Sequence, residues 1–252
     1  MNPALGLVLL GAVVGGLGTL IGAGGGFLLV PVLIFLHPEA ASETVTSISL
    51  AVVFMNALSG SLAYARMGRI DYRSGLLFAL AAAPGAVLGA LSTSLLPRRT
   101  FDAVFAVALL LTGVAMLVWP EPPPTPGDER RGRTKLGMAL SSAIGYVSSL
   151  FGIGGGIIHV PMMVYVLGFP THIATATSQF ILAGMALVGT VTHVATGSFS
   201  GVIRPTLLLA AGALVGAQVG AAFSNRVPGT TLIRGLAVAL GIVGVRILWS
   251  AL

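Results

Sequence analysis

The sequence predicts an all-α polytopic membrane protein made of two inverted-topology repeats. Each repeat should hold a glycine-broken, re-entrant-type helical hairpin and three full transmembrane helices. Three observations predict this. The 252 residues are 56% apolar and 8% charged, with a mean hydropathy of +1.00. A soluble domain carries about 25% charged residues, so this chain lacks the polar surface to face water, and its solvent is lipid. The apolar residues fall into about ten segments, and the second half of the chain repeats the first.

The segments run over 3–20, 26–37, 42–65, 72–96 and 100–119, then 136–151, 156–168, 172–196, 205–225 and 231–250. A helix needs about 20 residues to cross the hydrocarbon core. Three segments of each half meet that length, whereas the two flanking each glycine run do not. Residues 26–37 supply about a dozen and read as half of a broken element. Between the halves lies "PEPPPTPGDERRGRTK", whose prolines and charges mark an exposed linker. The chain therefore divides into a first repeat (1–119), a linker (120–135) and a second repeat (136–252).

"IGAGGGFLLVPVLIF" from Ile21 is matched by "FGIGGGIIHVPMMVY" from Phe151 at an offset of 130. After one inserted residue, an offset of 131 pairs Thr44, Thr46 and Ser47 with Thr175, Thr177 and Ser178. The same offset pairs Arg73 with Arg204, Gly85 and Gly89 with Gly216 and Gly220, and Pro97 with Pro228. Matches of this kind in register imply a duplication.

Charge orients the repeats. If each broken element enters and leaves on one side, each half has an odd number of crossings and the halves are inverted. One side then collects nine basic residues: Arg66, Arg69, Arg73, Arg130, Arg131, Arg133, Lys135, Arg226 and Arg234. The other gets three, Arg98, Arg99 and Arg204, with Arg246 left as intramembrane. Parallel halves give eight against four, so the positive-inside rule favours inversion, a cytoplasmic linker and both termini outside. The net charge of +6 is that loop bias rather than a nucleic-acid footprint. The absence of Cys excludes disulfides and thiolate metal sites. The first residues carry no basic stretch before their apolar run and do not read as a cleaved signal peptide.

The triplets Gly24, Gly25, Gly26 and Gly154, Gly155, Gly156 are the first candidate site residues. Three consecutive glycines forfeit roughly 1 kcal/mol each in a helix, and irregular backbone at membrane depth survives only where protein or water satisfies it. Breaks at corresponding places in two repeats point to a transporter's central site. Exposed N–H groups and the positive end of a helix make an anion cradle without a formal charge. The four-residue spacing of Gly212, Gly216 and Gly220 reads instead as close helix packing. Neither run is a nucleotide loop, since no Gly-Lys-Ser/Thr follows and Phe27 or Ile157 stands where a dinucleotide fingerprint needs glycine.

Carboxylates are nearly absent from the spans. Glu39, Glu43, Asp71, Glu121, Asp128 and Glu129 fall in loops or at segment ends, and Asp102 begins a helix. A carboxylate relay at the midplane or a cation cage is therefore not expected, and an anionic substrate suits this field. The hydroxyl clusters "TVTSIS" and "TATSQ" contribute Thr46, Ser47, Thr177, Ser178 and Gln179 as candidate lining residues. His159 stands where the first run has Leu29 and is either site-lining or a satisfied core histidine; His172 and His193 lie nearer segment ends, suited to an interfacial role. No metal-ligand spacing is present, and neither a metal nor another cofactor is expected.

"GAGGGFLLVPVL" with "TSISLAV", and "GIGGGIIHVPMM" with "ATATSQF", resemble the sulfite exporter TauE/SafE family, also known as toluene-sulfonate uptake permeases. The likeness covers nearly the whole chain. It implies a bacterial inner-membrane carrier for small sulfur-containing anions such as sulfite or sulfoacetate, with the triplets, Thr46, Ser47, Thr177 and Ser178 lining the site. The expected partners are the bilayer and the anion, with coupling to a proton or another ion left open. The rival is a passive anion channel of the same architecture; an intramembrane enzyme lacks its motifs.

Overall fold

The computed structural model describes residues 3–118, 133–224 and 226–251; most of the expected linker (120–132) lies outside them. Among the described residues there are ten helices and no strand: α1 Pro3–Ile21, α2 Gly26–Leu36, α3 Ser42–Arg66, α4 Tyr72–Ser92, α5 Arg98–Val118, α6 Thr134–Phe151, α7 Gly156–Val166, α8 Thr171–Ala195, α9 Ile203–Ser224 and α10 Gly229–Ala251. A 3₁₀ turn, Thr93–Leu95, prolongs α4, and α7 changes to π geometry after Pro161. Proline lacks an N–H and crowds the preceding turn, which favours such a local change. The all-α polytopic fold is as expected.

Among the described residues, six helices are long and apolar enough to cross a membrane: α1, α3, α4, α5, α8 and α9. The presence of α1 corrects the expectation that both arms of the first broken element are short. Its glycines do not end the helix, because Gly11, Gly15, Gly16 and Gly18 are filled by close neighbours. The short arm is α2, whose 11 residues rise about 16 Å, half a crossing.

Helix directions follow from paired contacts. A Cβ on Gly15 would lie 2.7 Å from Ala213 Cα, and one on Gly16 would lie 3.3 Å from Gly216 O. These positions rise together, so α1 and α9 run parallel. On the mirrored pair, a Cβ on Gly145 would lie 3.1 Å from Ala82 Cα and one on Gly89 would lie 2.9 Å from Leu150 N, so α4 and α6 are also parallel. In contrast, α3 and α8 are antiparallel. Ser47 near the start of α3 donates to Ser198 O beyond the end of α8 (3.4 Å), while Thr177 near the start of α8 accepts from Asp71 N–H beyond the end of α3 (3.0 Å). Ser59 bonds Leu214 O at 2.8 Å and Arg69 bonds Ser224 Oγ at 3.4 Å, which sets α3 parallel to α9 and hence to α1. Thus α1, α3 and α9 all start at one end, here the terminal end, and α2 returns to it. At that end Arg246 sits 4.9 Å above the ring of Phe35, which closes α2.

The register that relates the central helices differs from the expected one. The ranges 42–66 and 171–195 are related by 129, not 131. Thr46 therefore pairs with Thr175 and Ser49 with Ser178. The contacts agree, since a Cβ on Gly22 would lie 2.8 Å from Thr175 Cα and one on Gly152 would lie 2.9 Å from Thr46 Cα. The α2–α3 loop spans 37–41 and the α7–α8 loop 167–170, a deletion rather than an insertion. The longer loop 196–202 then restores 131 for α4 and α9.

Gly212, Gly216 and Gly220 serve close packing as expected. Replacing Gly216 by Val would drive Cβ to within 2.8 Å of Gly16 N, and such overpacking costs about 1–3 kcal/mol. Thermal unfolding in detergent should show that loss for Gly216→Val. It should show none for Gly235→Val, whose Cβ would meet nothing within 4 Å.

Candidate functional site

Both breaks are built alike. Gly22, Gly24 and Gly25 have φ of 81°, 77° and 79°, and Gly152, Gly154 and Gly155 have 70°, 75° and 82°. Three left-handed positions within four residues reverse the chain, and L side chains rarely adopt that conformation. Ala23 N–H donates to Gly18 O (2.8 Å) and Ile153 N–H to Ser148 O (3.0 Å), closing α1 and α6. Gly25 O then accepts from Leu28 and Leu29 N–H at 3.0 Å each, and Gly155 O accepts from Ile158 (3.0 Å) and His159 (2.8 Å), opening α2 and α7.

The two turns touch. A Cβ on Gly26 would lie 2.7 Å from Gly152 O, and one on Gly156 would lie 2.6 Å from Ala23 Cα. Each turn is clasped by a serine of the other repeat: Ser49 donates to Gly152 O at 2.6 Å and Ser178 to Gly22 O at 3.0 Å. The N-termini of α2 and α7 therefore converge on one point. The N–H groups of Gly25, Gly26 and Phe27, and of Gly155, Gly156 and Ile157, find no protein acceptor among the described residues. Two positive helix ends with free donors form a field for negative charge. The three glycines of each triplet are buried.

The other sequence-derived candidates divide. Thr46 backs the second turn with its backbone and returns its hydroxyl to Ser42 O at 2.7 Å. Ser178 is the clasp. Gln179 donates Nε2–H to Gly18 O at 3.2 Å and leaves Oε1 without a partner. Ser47 and Thr177 are not brought to the turns. Ser47 bonds Thr44 O (2.9 Å) and Ser198 O, while Thr177 holds Asp71 N–H. His159 is buried with both nitrogens engaged, Nδ1 3.2 Å from Gly155 O and Nε2 3.3 Å from Ser141 Oγ. It braces the second turn as a satisfied core histidine.

Several residues beside the turns are not among those the motifs point to. Ser49 shares a helical face with Thr46, three residues away, a spacing that could have found it. Asn56 accepts from Thr19 Oγ1 at 3.2 Å and leaves Nδ2 unpartnered and buried. Its counterpart is Met185 and that of Gln179 is Leu50, so the polar asymmetry lies in two amides rather than in His159. Val53 and Leu182, mutual counterparts, cover the turns: a Cβ on Gly24 would lie 3.2 Å from Val53 Cγ1 and one on Gly154 would lie 3.4 Å from Val53 Cβ. Leu50, Ala57 and Ala186 complete this buried apolar cover. A separate cleft of about 710 Å³ opens at the terminal end, where Leu10, Leu33, Thr44 and Ile48 are among its lining residues. Among the described residues, no group of three or more His, Cys, Asp or Glu side chains could hold a metal.

The family described as sulfite exporter TauE/SafE matches residues 7–247. A probable membrane transporter protein of Bacillus subtilis, YunE, is 29% identical across 98% of this chain and 97% of its own length. A second from that organism, YdhB, is 28% identical across 96% and 98%. The probable membrane transporter protein MJ0441 of Methanocaldococcus jannaschii is 25% identical across 74% and 71%.

The two serine clasps are open to test. Ser49→Ala and Ser178→Ala each leave a buried carbonyl unpaired and should lower stability by about 1–3 kcal/mol. Hydrogen exchange at Ile153 and Ala23 should quicken with the loss of the opposing clasp, and unchanged exchange would separate the clasps from the turns.

Proposed function

The chain belongs to the sulfite exporter TauE/SafE family, and on that premise we propose that it is a secondary transporter of small sulfur-containing anions, sulfite or organosulfonates such as sulfoacetate, working by alternating access in the bacterial inner membrane. Family and relatives point to a transporter rather than an enzyme. The observation that carries the anion reading is the convergence of the α2 and α7 N-termini with six unpartnered N–H groups between them. The anion would be held by these groups with Gly24, Gly25, Gly26, Gly154, Gly155 and Gly156, supported by Ser178, Gln179, Thr46 and the Asn56 amide. Ser47, Thr177 and His159 act around that site rather than in it. Among the described residues the acidic side chains lie in loops or near helix starts, so none of these carboxylates opposes an anion at the turns.

The antiparallel setting of α3 against α8 supports inverted repeats, because helices related by an in-plane twofold axis run in opposite directions. The shared starting end of α1 and α3 supports a hairpin that enters and leaves on one side. The basic residues then favour a cytoplasmic linker and outside termini, nine against three, or four once Arg246 joins the terminal end. The packing of Val53 and Leu182 over both turns favours a carrier over a channel, since these side chains must part before an anion reaches the N–H groups.

Proteoliposome uptake of sulfite, sulfoacetate, taurine and sulfate tests this. Wild type should accumulate at least one of them against its gradient, which a channel cannot do. Gly25→Leu or Gly155→Leu should reduce uptake by about a hundredfold, the scale at which a misplaced binding group acts. Normal transport by either folded variant would remove the glycine turns from the site.

A further inference from the structure

The terminal end carries a chain of titratable and hydroxyl groups that the anion site does not use. His193, in the last turn of α8, is buried, and its Nδ1 lies 3.2 Å from Ser198 Oγ in the α8–α9 loop. Ser198 Oγ in turn donates to Glu43 Oε1 in the first turn of α3. Thr196, whose Oγ1 is 2.8 Å from Ser198 Oγ, steadies the serine. His193 Nε2 is buried with no partner, whereas Glu43 is part-exposed. The chain thus has a direction, from an open imidazole nitrogen inside to a carboxylate near the surface. It also bridges the repeats, since Glu43 belongs to the first and His193 and Ser198 to the second.

We propose that Glu43, Ser198 and His193 form the proton-binding site that couples anion movement to the proton gradient; this rests on the transport reading above. A proton taken up at His193 Nε2 releases the Nδ1 proton to Ser198, whose own proton passes to Glu43. One proton enters and one is delivered, and every bond in the chain is remade with its polarity reversed. The bridge sits where the start of α3 meets the end of α8, so a path opened at that contact would break it. Proton transfer and access on that side therefore act on the same contact.

Glu43 is the charge that acts on His193. The remaining charged or titratable groups of this end are engaged or exposed. Arg98 pairs with Asp102 at 2.9 Å, and His37, Glu39 and Arg204 are exposed. The relay has no twin. By the shift of 129, the counterparts of Glu43 and His193 are His172 and Tyr64, and Tyr64 donates to Thr19 O at 2.8 Å instead of to a carboxylate.

The test uses the full chain in proteoliposomes containing a trapped pH-sensitive dye. Sulfite is the first probe, and any other anion of the panel that the wild type exchanges is the second. Counterflow exchange needs the anion site alone, whereas substrate-linked pH change needs the relay. Wild type should show both. Glu43→Gln, His193→Gln and Ser198→Ala should keep counterflow and lose substrate-linked proton movement by about a hundredfold or more, the lower range for a positioned proton-transfer group. Ser198→Ala removes one hydroxyl from a loop and covers the case in which a helix variant fails to fold. Retained proton movement in these variants, loss of counterflow in all three, or wild-type counterflow without proton movement would each overturn the assignment. Absence of wild-type counterflow with every anion would instead sink the transport reading, and this one with it.

Discussion

Two bare stretches of backbone press against each other at the middle of this protein, and the rest of the structure depends on that contact. In hydrocarbon each unpaired N–H or C=O costs several kcal/mol. The Gly22–Gly26 and Gly152–Gly156 turns interrupt helices in the buried interior. The carbonyls of Gly152 and Gly22 are met from the other repeat by Ser49 and Ser178, and the closing N–H groups by Gly18 and Ser148 carbonyls. The N–H groups at the starts of α2 and α7 are among the groups left over. The two helix N-termini with these free N–H groups give the candidate site its positive end.

A contact this close limits its surroundings. Any side chain at Gly26 or Gly156 would strike the opposite turn, and α1 and α6, which deliver the turns, must be held without slack. The small-residue faces of α1 with α9 and of α4 with α6 do this by bringing backbones within van der Waals reach. Without a hydrophobic force between helices in lipid, such packing is the available means of precision. Beside the turns, Val53 and Leu182 pack apolar bulk against Gly24, and Val53 against Gly154 as well.

Symmetry accounts for the frame, and its exceptions carry the chemistry. The turns, clasps and packing glycines come in pairs. By the shift of 129 the amides of Asn56 and Gln179 correspond to Met185 and Leu50, and Glu43 and His193 to His172 and Tyr64. On the transport reading, a paired frame lets two arrangements of similar energy exist, and unpaired polar groups make the two faces of the membrane inequivalent.

The sequence by itself determined the lipid-facing composition, the duplication, the broken helices and the glycine turns, because hydropathy, glycine runs and repeated motifs are local signals. Thr46, Ser178 and Gln179 were legible as turn neighbours for the same reason. The tertiary structure alone decided the register of the hydroxyl helices, since "TVTS" and "TATS" align plausibly at more than one offset and only packing against Gly22 and Gly152 selects one. It also decided that His159 is satisfied by Gly155 and Ser141, and that Ser47 and Thr177 turn away from the glycines. The link of Glu43 to His193 through Ser198, between residues 150 apart in the chain, was likewise its decision, because it exists only once α3 and α8 lie antiparallel.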